Sequence, residues 1–251
     1  MPTPTSPFEG VTCLAIGTGR PVTVFLPGLG GSIDHLRPLG GGVPGTRVFC
    51  ELSGDNASSD FAGLARTFRT VADRVGADRA LGVSLGAGAL LRILSETPTR
   101  FDKAVLYLPS ALSAVTARRR EQLAAMVALA EAGDVHALGV LLGEELPMAV
   151  RATRPAVDSS RVRAERLASP EGLRLLNNLA AGAAPVQGSL DEVTAQVLVI
   201  AAAGDDVHPV GVAEEIAAAL PYARLHVFDT PAPLWHARAE LRALVSGWLS
   251  A

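Results

Sequence analysis

Gly82, Ser84 and Gly86 alternate with apolar residues in the stretch Arg79-Ala80-Leu81-Gly82-Val83-Ser84-Leu85-Gly86-Ala87-Gly88. A serine between two such glycines is the pattern of a strand that turns sharply into a helix around a nucleophile. The corner residue of that turn is forced to φ above zero. Its neighbours two positions away on either side crowd each other, which calls for glycine at both. The turn pushes the Ser84 hydroxyl out at the carboxyl end of the sheet, where α/β folds bind ligands. It also aims the backbone N–H of Leu85 at the same place. Small residues around a serine are common in a chain rich in Ala and Gly, so the flanks decide. An apolar run, Ala80 to Val83, precedes the serine. After it Leu85, Ala89, Leu90, Ile93 and Leu94 share one helical face, with Pro98 soon beyond.

A second informative stretch is Pro27-Gly28-Leu29-Gly30-Gly31-Ser32, which follows the strand-like Val22 to Leu26. It lacks the Gly-Lys-Ser/Thr ending of a phosphate-binding loop and the spacing of a dinucleotide fingerprint. Such a loop can present backbone N–H groups to an oxyanion, or it can be a plain tight turn, since Pro-Gly is a turn dipeptide. Carboxylates stand at two later strand exits, Asp205 and Asp206 after the apolar run Val197–Ala201, and Asp229 after Arg224–Phe228. Asp205 comes first after its strand, nearest the sheet end. His236 precedes the last helix. His35 lies just after the glycine loop and either lines a pocket or is a surface loop residue, His208 follows the acidic loop where it can hydrogen-bond locally, and His136 on a helix face and His226 in a strand read as ordinary residues. No His, Cys and carboxylate spacing suggests a metal site.

The elements that must position these groups alternate between strand and helix, which calls for a mostly parallel sheet. Residues 1–9 read as a loose tail and Val11–Ile16 as a strand. Arg47–Leu52 is a further strand, followed by a turn at Ser53-Gly54-Asp55-Asn56. A helix capped by Ser58 or Ser59 runs to about Val75. The elbow is followed by a strand at Ala104–Leu108. Between about 111 and 190 strand signals vanish. Leu123, Met126, Val127 and Ala130 form one helical stripe stopped by Gly133; Asp134 caps the next, and Ser169-Pro170-Glu171 opens another that ends near Gly182. The expected organisation is a core of residues 1–110 and 191–251 with a helical cap inserted at 111–190. That insertion serves as one wall of the site or as plain packing, and a homodimer stays open.

Composition narrows the function classes. The chain has 251 residues, 49% of them hydrophobic and 19% charged, with a net charge of −3 and a pI near 6.0. A large core can form. No basic stripe suggests nucleic acid and no polybasic helix or long apolar run suggests a membrane. Two cysteines, Cys13 and Cys50, are too few for a disulfide framework and read as reduced core residues. With no basic-then-apolar leader in the first residues, a cytoplasmic location is expected.

Over nearly its whole length the chain resembles the α/β-hydrolase superfamily, and in detail its small capped members related to esterases, lactonases and carbon–carbon bond hydrolases. The resemblance rests on the glycine loop at Pro27–Ser32, the elbow at Gly82–Gly86, Gly204-Asp205 with Pro209 beyond, and His236, in the chain order Ser, Asp, His. It implies an α/β fold with a mostly parallel central sheet, helices on both faces and an inserted helical cap. It implies Ser84 as nucleophile, His236 as general base and then acid, Asp205 as the residue that orients the imidazole, and an oxyanion hole from the N–H groups of Leu29 and Leu85. The implied function is cofactor-free hydrolysis of a small acyl compound (ester, thioester, lactone or carbon–carbon bond) through an acyl-enzyme. Pro27-Gly28 stands where the family often has His-Gly, Ser53–Asn56 where it often has Arg-Gly-His-Gly, and Trp235-His236 where it has Gly-His. These departures motivate the second reading, a lyase, cyclase or acyltransferase, and the third, a non-catalytic small-molecule-binding protein.

Overall fold

The computed structural model describes residues 5–53, 60–182 and 184–250. Strands β1 (Thr5–Phe8), β2 (Val11–Ile16), β3 (Val22–Leu26), β4 (Thr46–Leu52), β5 (Arg79–Val83), β6 (Lys103–Tyr107), β7 (Gln196–Ala202) and β8 (Ala223–Phe228) form one eight-stranded sheet. Its order is β1-β2-β4-β3-β5-β6-β7-β8. From β4 to β8 neighbouring strands are parallel, and β1 and β2 add an antiparallel edge. The expected loose tail is therefore part strand, because Thr5–Phe8 pairs with β2.

The helices are α1 (Ile33–Leu36), α2 (Phe61–Val75), α3 (Leu85–Glu96), α4 (Ala117–Glu131), α5 (Val135–Gly143), α6 (Met148–Arg151), α7 (Arg154–Leu167), α8 (Pro170–Ala180), α9 (Val210–Ala219), α10 (Pro233–His236) and α11 (Arg238–Ser250). Successive strand residues point to opposite faces, and the sheet is apolar on both. Val24, Leu26, Ala80, Leu106 and Val199 pack with α2, α3 and α9. Phe25, Leu81, Val105, Leu198 and Ile200 pack with α1 and α11, whose Leu241, Val245 and Leu249 are fully buried. Each of the Val, Leu, Ile and Phe side chains among them contributes about 1.5–3 kcal/mol of burial.

The chain leaves β3, runs outward to β4, then returns past β3 to β5. A crevice forms at such a reversal, beyond the carboxyl ends of the strands. The segments that leave β3 and β5 at this point are the glycine loop and the elbow.

Asp60 caps α2, its carboxylate accepting from Gly63 N–H. The expected caps Ser58 and Ser59, and the turn residues 54–56, lie outside the described residues. The helical insertion between β6 and β7 holds α4 to α8. Asp134 and Ser169 cap α5 and α8 as expected. Helix α7 carries no apolar stripe that periodicity could detect. Its buried positions are Ala156, Ser160, Ala164 and Leu167, three of them small.

Candidate active site

Ser84 sits at the corner between β5 and α3 with φ 49° and ψ −106°, a strained conformation for a residue with a side chain. The glycine spacing has the steric cause that the sequence suggests. A Cβ on Gly82 would strike the carbonyl of Gly86, and one on Gly86 would strike the carbonyls of Leu26 and Pro27. Ser84 N–H donates to Tyr107 C=O at 2.9 Å, which fixes the corner to β6.

The loop leaving β7 brings the partners. Gly204 takes φ 74°, and the Asp205 carboxylate folds back on its own loop. Its Oδ1 accepts from the N–H groups of Val207 and His208 at 3.0 and 2.9 Å. Its Oδ2 lies 3.0 Å from His208 Nδ1, and His208 Nε2 lies 2.9 Å from Ser84 Oγ. Burial alone would raise the Asp205 carboxyl. The hydrogen bond and charge of His208, with the two backbone N–H groups, outweigh burial and hold it below the ordinary value. An ionised carboxylate only accepts, so Nδ1 carries a proton, and in the neutral ring this leaves the Nε2 lone pair facing the serine hydroxyl.

This corrects the expected role of His236, which the structure does not bring to Ser84. His236 ends the single turn of α10 and is exposed. Ala232, with φ 54°, turns the chain so that Leu234 and Trp235 line the crevice. The next residue is rotated about 100° further round the helix, which carries His236 away from them. Asp206 points outward to Arg118 at 2.9 Å, and Asp229 is exposed. His35 lines the crevice with Ser84, but its Nδ1 accepts from Ser32 N–H at 3.0 Å and its Nε2 lies 2.8 Å from Ser159 Oγ, so both ring nitrogens are engaged elsewhere. His136 is exposed on α5, and His226 lies on β8 edge-on to Phe228.

The same architecture occurs in known structures. An α/β hydrolase enzyme from a Medee basin deep-sea metagenome library superposes with a TM-score of 0.77 at 15% identity, covering 96% of this chain and 94% of its own. A hydrolase from Pseudomonas aeruginosa gives 0.74 at 22% identity over 96% and 94%. An esterase from Exiguobacterium antarcticum gives 0.71 at 16% identity over 96% of each. The chain has the α/β-hydrolase fold. No protein-family model matches the sequence, and no curated protein matches it.

Within this α/β-hydrolase fold a cavity of about 200 Å³ lies over Ser84 and His208. The helical insertion supplies one of its walls through Arg119, Glu145, Leu146, Ser159, Ser160 and Arg163. Leu29 lines it too, and shares with Leu85 and Ser84 a smaller cavity of about 30 Å³. Among the described residues no acceptor bonds the N–H of Leu29 or of Leu85. The charged residues of the wall are tied to one another. Glu145 receives Arg119 at 3.0 Å and Arg163 at 2.8 Å, one on each oxygen. Burial pushes the Glu145 carboxyl up, but the two guanidinium groups prevail and bring it down to about 2.

His208 is the functional candidate that the sequence reading passed over. Its signal was present as a histidine at i+3 from a carboxylate, a spacing that a tight turn converts into a side-chain hydrogen bond. Among the described residues no helix is long and apolar enough to cross a membrane.

Proposed function

We propose that this chain is a serine hydrolase acting on a small acyl compound, with Ser84 as nucleophile, His208 as general base and then acid, and Asp205 as the group that orients the imidazole. The observation that carries this reading is the unbroken line Asp205 Oδ2, His208 Nδ1, His208 Nε2 and Ser84 Oγ, with steps of 3.0 and 2.9 Å. A serine hydroxyl is a poor nucleophile until a base within hydrogen-bond reach removes its proton. As Oγ attacks the acyl carbon, its proton passes to His208 Nε2, and the imidazolium is balanced by Asp205. The oxyanion receives the N–H groups of Leu29 and Leu85. Collapse breaks the bond to the leaving group, which takes the proton from Nε2 and departs. Water, deprotonated by His208, then releases the acid and restores Ser84. The helical insertion acts as a cap that excludes bulk water and limits substrate size. The esterase and hydrolases among the similar structures support this class of chemistry.

A fluorophosphonate probe and short p-nitrophenyl esters test it. Wild-type protein is expected to label at Ser84 and Ser84→Ala to stay blank. His208→Ala is expected to lose activity by roughly the million-fold seen when a triad serine or histidine is removed elsewhere, while His236→Ala keeps wild-type rates. Full turnover by Ser84→Ala, or loss of turnover in His236→Ala with His208→Ala intact, would overturn the assignment.

A further inference from the structure

One side of α7 is polar, and its groups reach the same short segment directly or through Glu51. Ser159, Arg163 and Arg166 follow one another at i, i+4 and i+7, one side of a helix. Ser159 Oγ bonds His35 Nε2, whose Nδ1 accepts from Ser32 N–H. Arg163 Nε donates to Leu29 C=O at 3.1 Å. Arg166 pairs with Glu51, whose second oxygen accepts from Ile33 N–H at 2.8 Å. The backbone touches as well, for a Cβ on Gly30 would come within 3.1 Å of Arg163 C=O. The segment from Leu29 to His35 is therefore fastened to one helix of the insertion at three polar points.

Of these points, Arg163 has the most direct geometric consequence. Gly28 C=O and Leu29 N–H belong to one planar peptide, and Gly28 C=O accepts from Gly31 N–H at 2.9 Å. The following peptide begins with Leu29 C=O, and Arg163 holds it. Both peptides flanking the Leu29 Cα are thus fixed, in a loop whose glycines at 28, 30 and 31 would otherwise allow either to rotate. Arg163 is itself held: its Nη2 donates to the largely buried, ionised Glu145, and Arg119 holds the other carboxylate oxygen. The fork of a guanidinium suits this task, since one group serves two acceptors at a set angle.

We infer that Arg163, locked by Glu145, is a positioning residue that aims the Leu29 N–H at the oxyanion formed on a Ser84-bound acyl group. This rests on the serine-hydrolase reading above and adds to it a dependence of the chemical step on helix α7. Such a residue acts through geometry, so its loss should damage the tetrahedral state more than the bound substrate.

The experiment compares wild type, Arg163→Met, Arg163→Lys and Glu145→Gln, with Arg161→Met on the outer face of α7 as control. A p-nitrophenyl acetate assay gives kcat and KM, and titration with phenylboronic acid, which adds to the serine oxygen as a tetrahedral mimic, gives a Kd. Misplacing a reacting group by about 1 Å costs on the order of a hundredfold in rate. Arg163→Met is therefore expected to lose about that factor in kcat and in boronate affinity, with KM nearly unchanged. Arg163→Lys and Glu145→Gln, which keep most of the bulk of the side chain they replace, are expected to fall between, and Arg161→Met to match wild type. Wild-type kcat and boronate affinity in Arg163→Met and Arg163→Lys would overturn the inference, as would a loss confined to KM. Ser84→Ala, run in parallel, separates the two readings. If it is inactive while the Arg163 variants are normal, only the positioning role fails. If it turns over normally, the serine-hydrolase reading fails and the positioning role falls with it.

Discussion

A carboxylate and an imidazole at i and i+3 of one turn form a unit that needs no second loop to hold it. Asp205 uses one oxygen to shape the turn, through Val207 and His208 N–H, and the other to grip the His208 ring. The sequence shows Ser84 plainly, because its strained backbone demands glycine at 82 and 86 and leaves a visible pattern. Asp205 was legible from its place directly behind a buried strand. His208 was not, because the direction of a side chain in a loop depends on a backbone turn that no periodicity encodes. His236 has the expected place along the chain and the wrong side of α10. The pair gives a sharp test. In Asp205→Asn the amide can keep its oxygen on the loop N–H groups and present its NH₂ to His208 Nδ1. That placement favours the wrong tautomer and should cost about 10⁴ in kcat. Asp206→Asn, whose side chain pairs with exposed Arg118, should leave ester turnover unchanged. Steady-state rates of the two variants decide it, and normal turnover in Asp205→Asn would sink the orienting role.

At the scale of elements, buried strands and capped helices declare themselves, and packing surfaces made of small residues do not. The apolar run at β7 and the stripes of α4 and α5 are readable because bulky side chains recur at the period of their element. Helix α7 is invisible to the same test, since it meets α5 through Ala164 and Ser160 and spends its remaining inner face on hydrogen bonds. The elbow lies at the other extreme, an element specified by two residues. Gly82→Ala would set a methyl against the backbone of Gly86 and Ala87, where nothing flexible can yield. Overpacking of this kind costs typically 1–3 kcal/mol. Urea denaturation should show at least that loss, together with slower fluorophosphonate labelling as Ser84 is displaced. An unchanged midpoint with normal labelling would mean that the turn can relax and that the glycine is not required for steric reasons.

At the scale of the molecule, the sheet core and the helical insertion meet at the site across a charged seam, with Arg119, Glu145 and Arg163 contributed by the insertion and Leu29 by the core. Such a seam ties stability to pH. The Glu145 carboxyl is brought down from an ordinary value of 4.5 to about 2 in the folded chain. Between those values the unfolded chain binds the proton and the folded chain does not, so stability rises with pH across this window. The contribution of Glu145 is complete above about 4.5 and is lost as pH falls toward 2. Asp205, also held below its ordinary value of 3.8, loses its contribution in the lower part of the same range. Glu145→Gln removes the titrating group and leaves Arg119 and Arg163 without their counter-charge, and breaking a buried pair from one side is costly. The variant should therefore be less stable than wild type at pH 7 and closer to it at pH 3, with a shallower dependence between. Denaturant midpoints at pH 7, 5, 4 and 3 measure this directly. A variant whose midpoint runs parallel to that of wild type throughout would show that Glu145 does not titrate with folding, and would remove the electrostatic basis assigned to the seam.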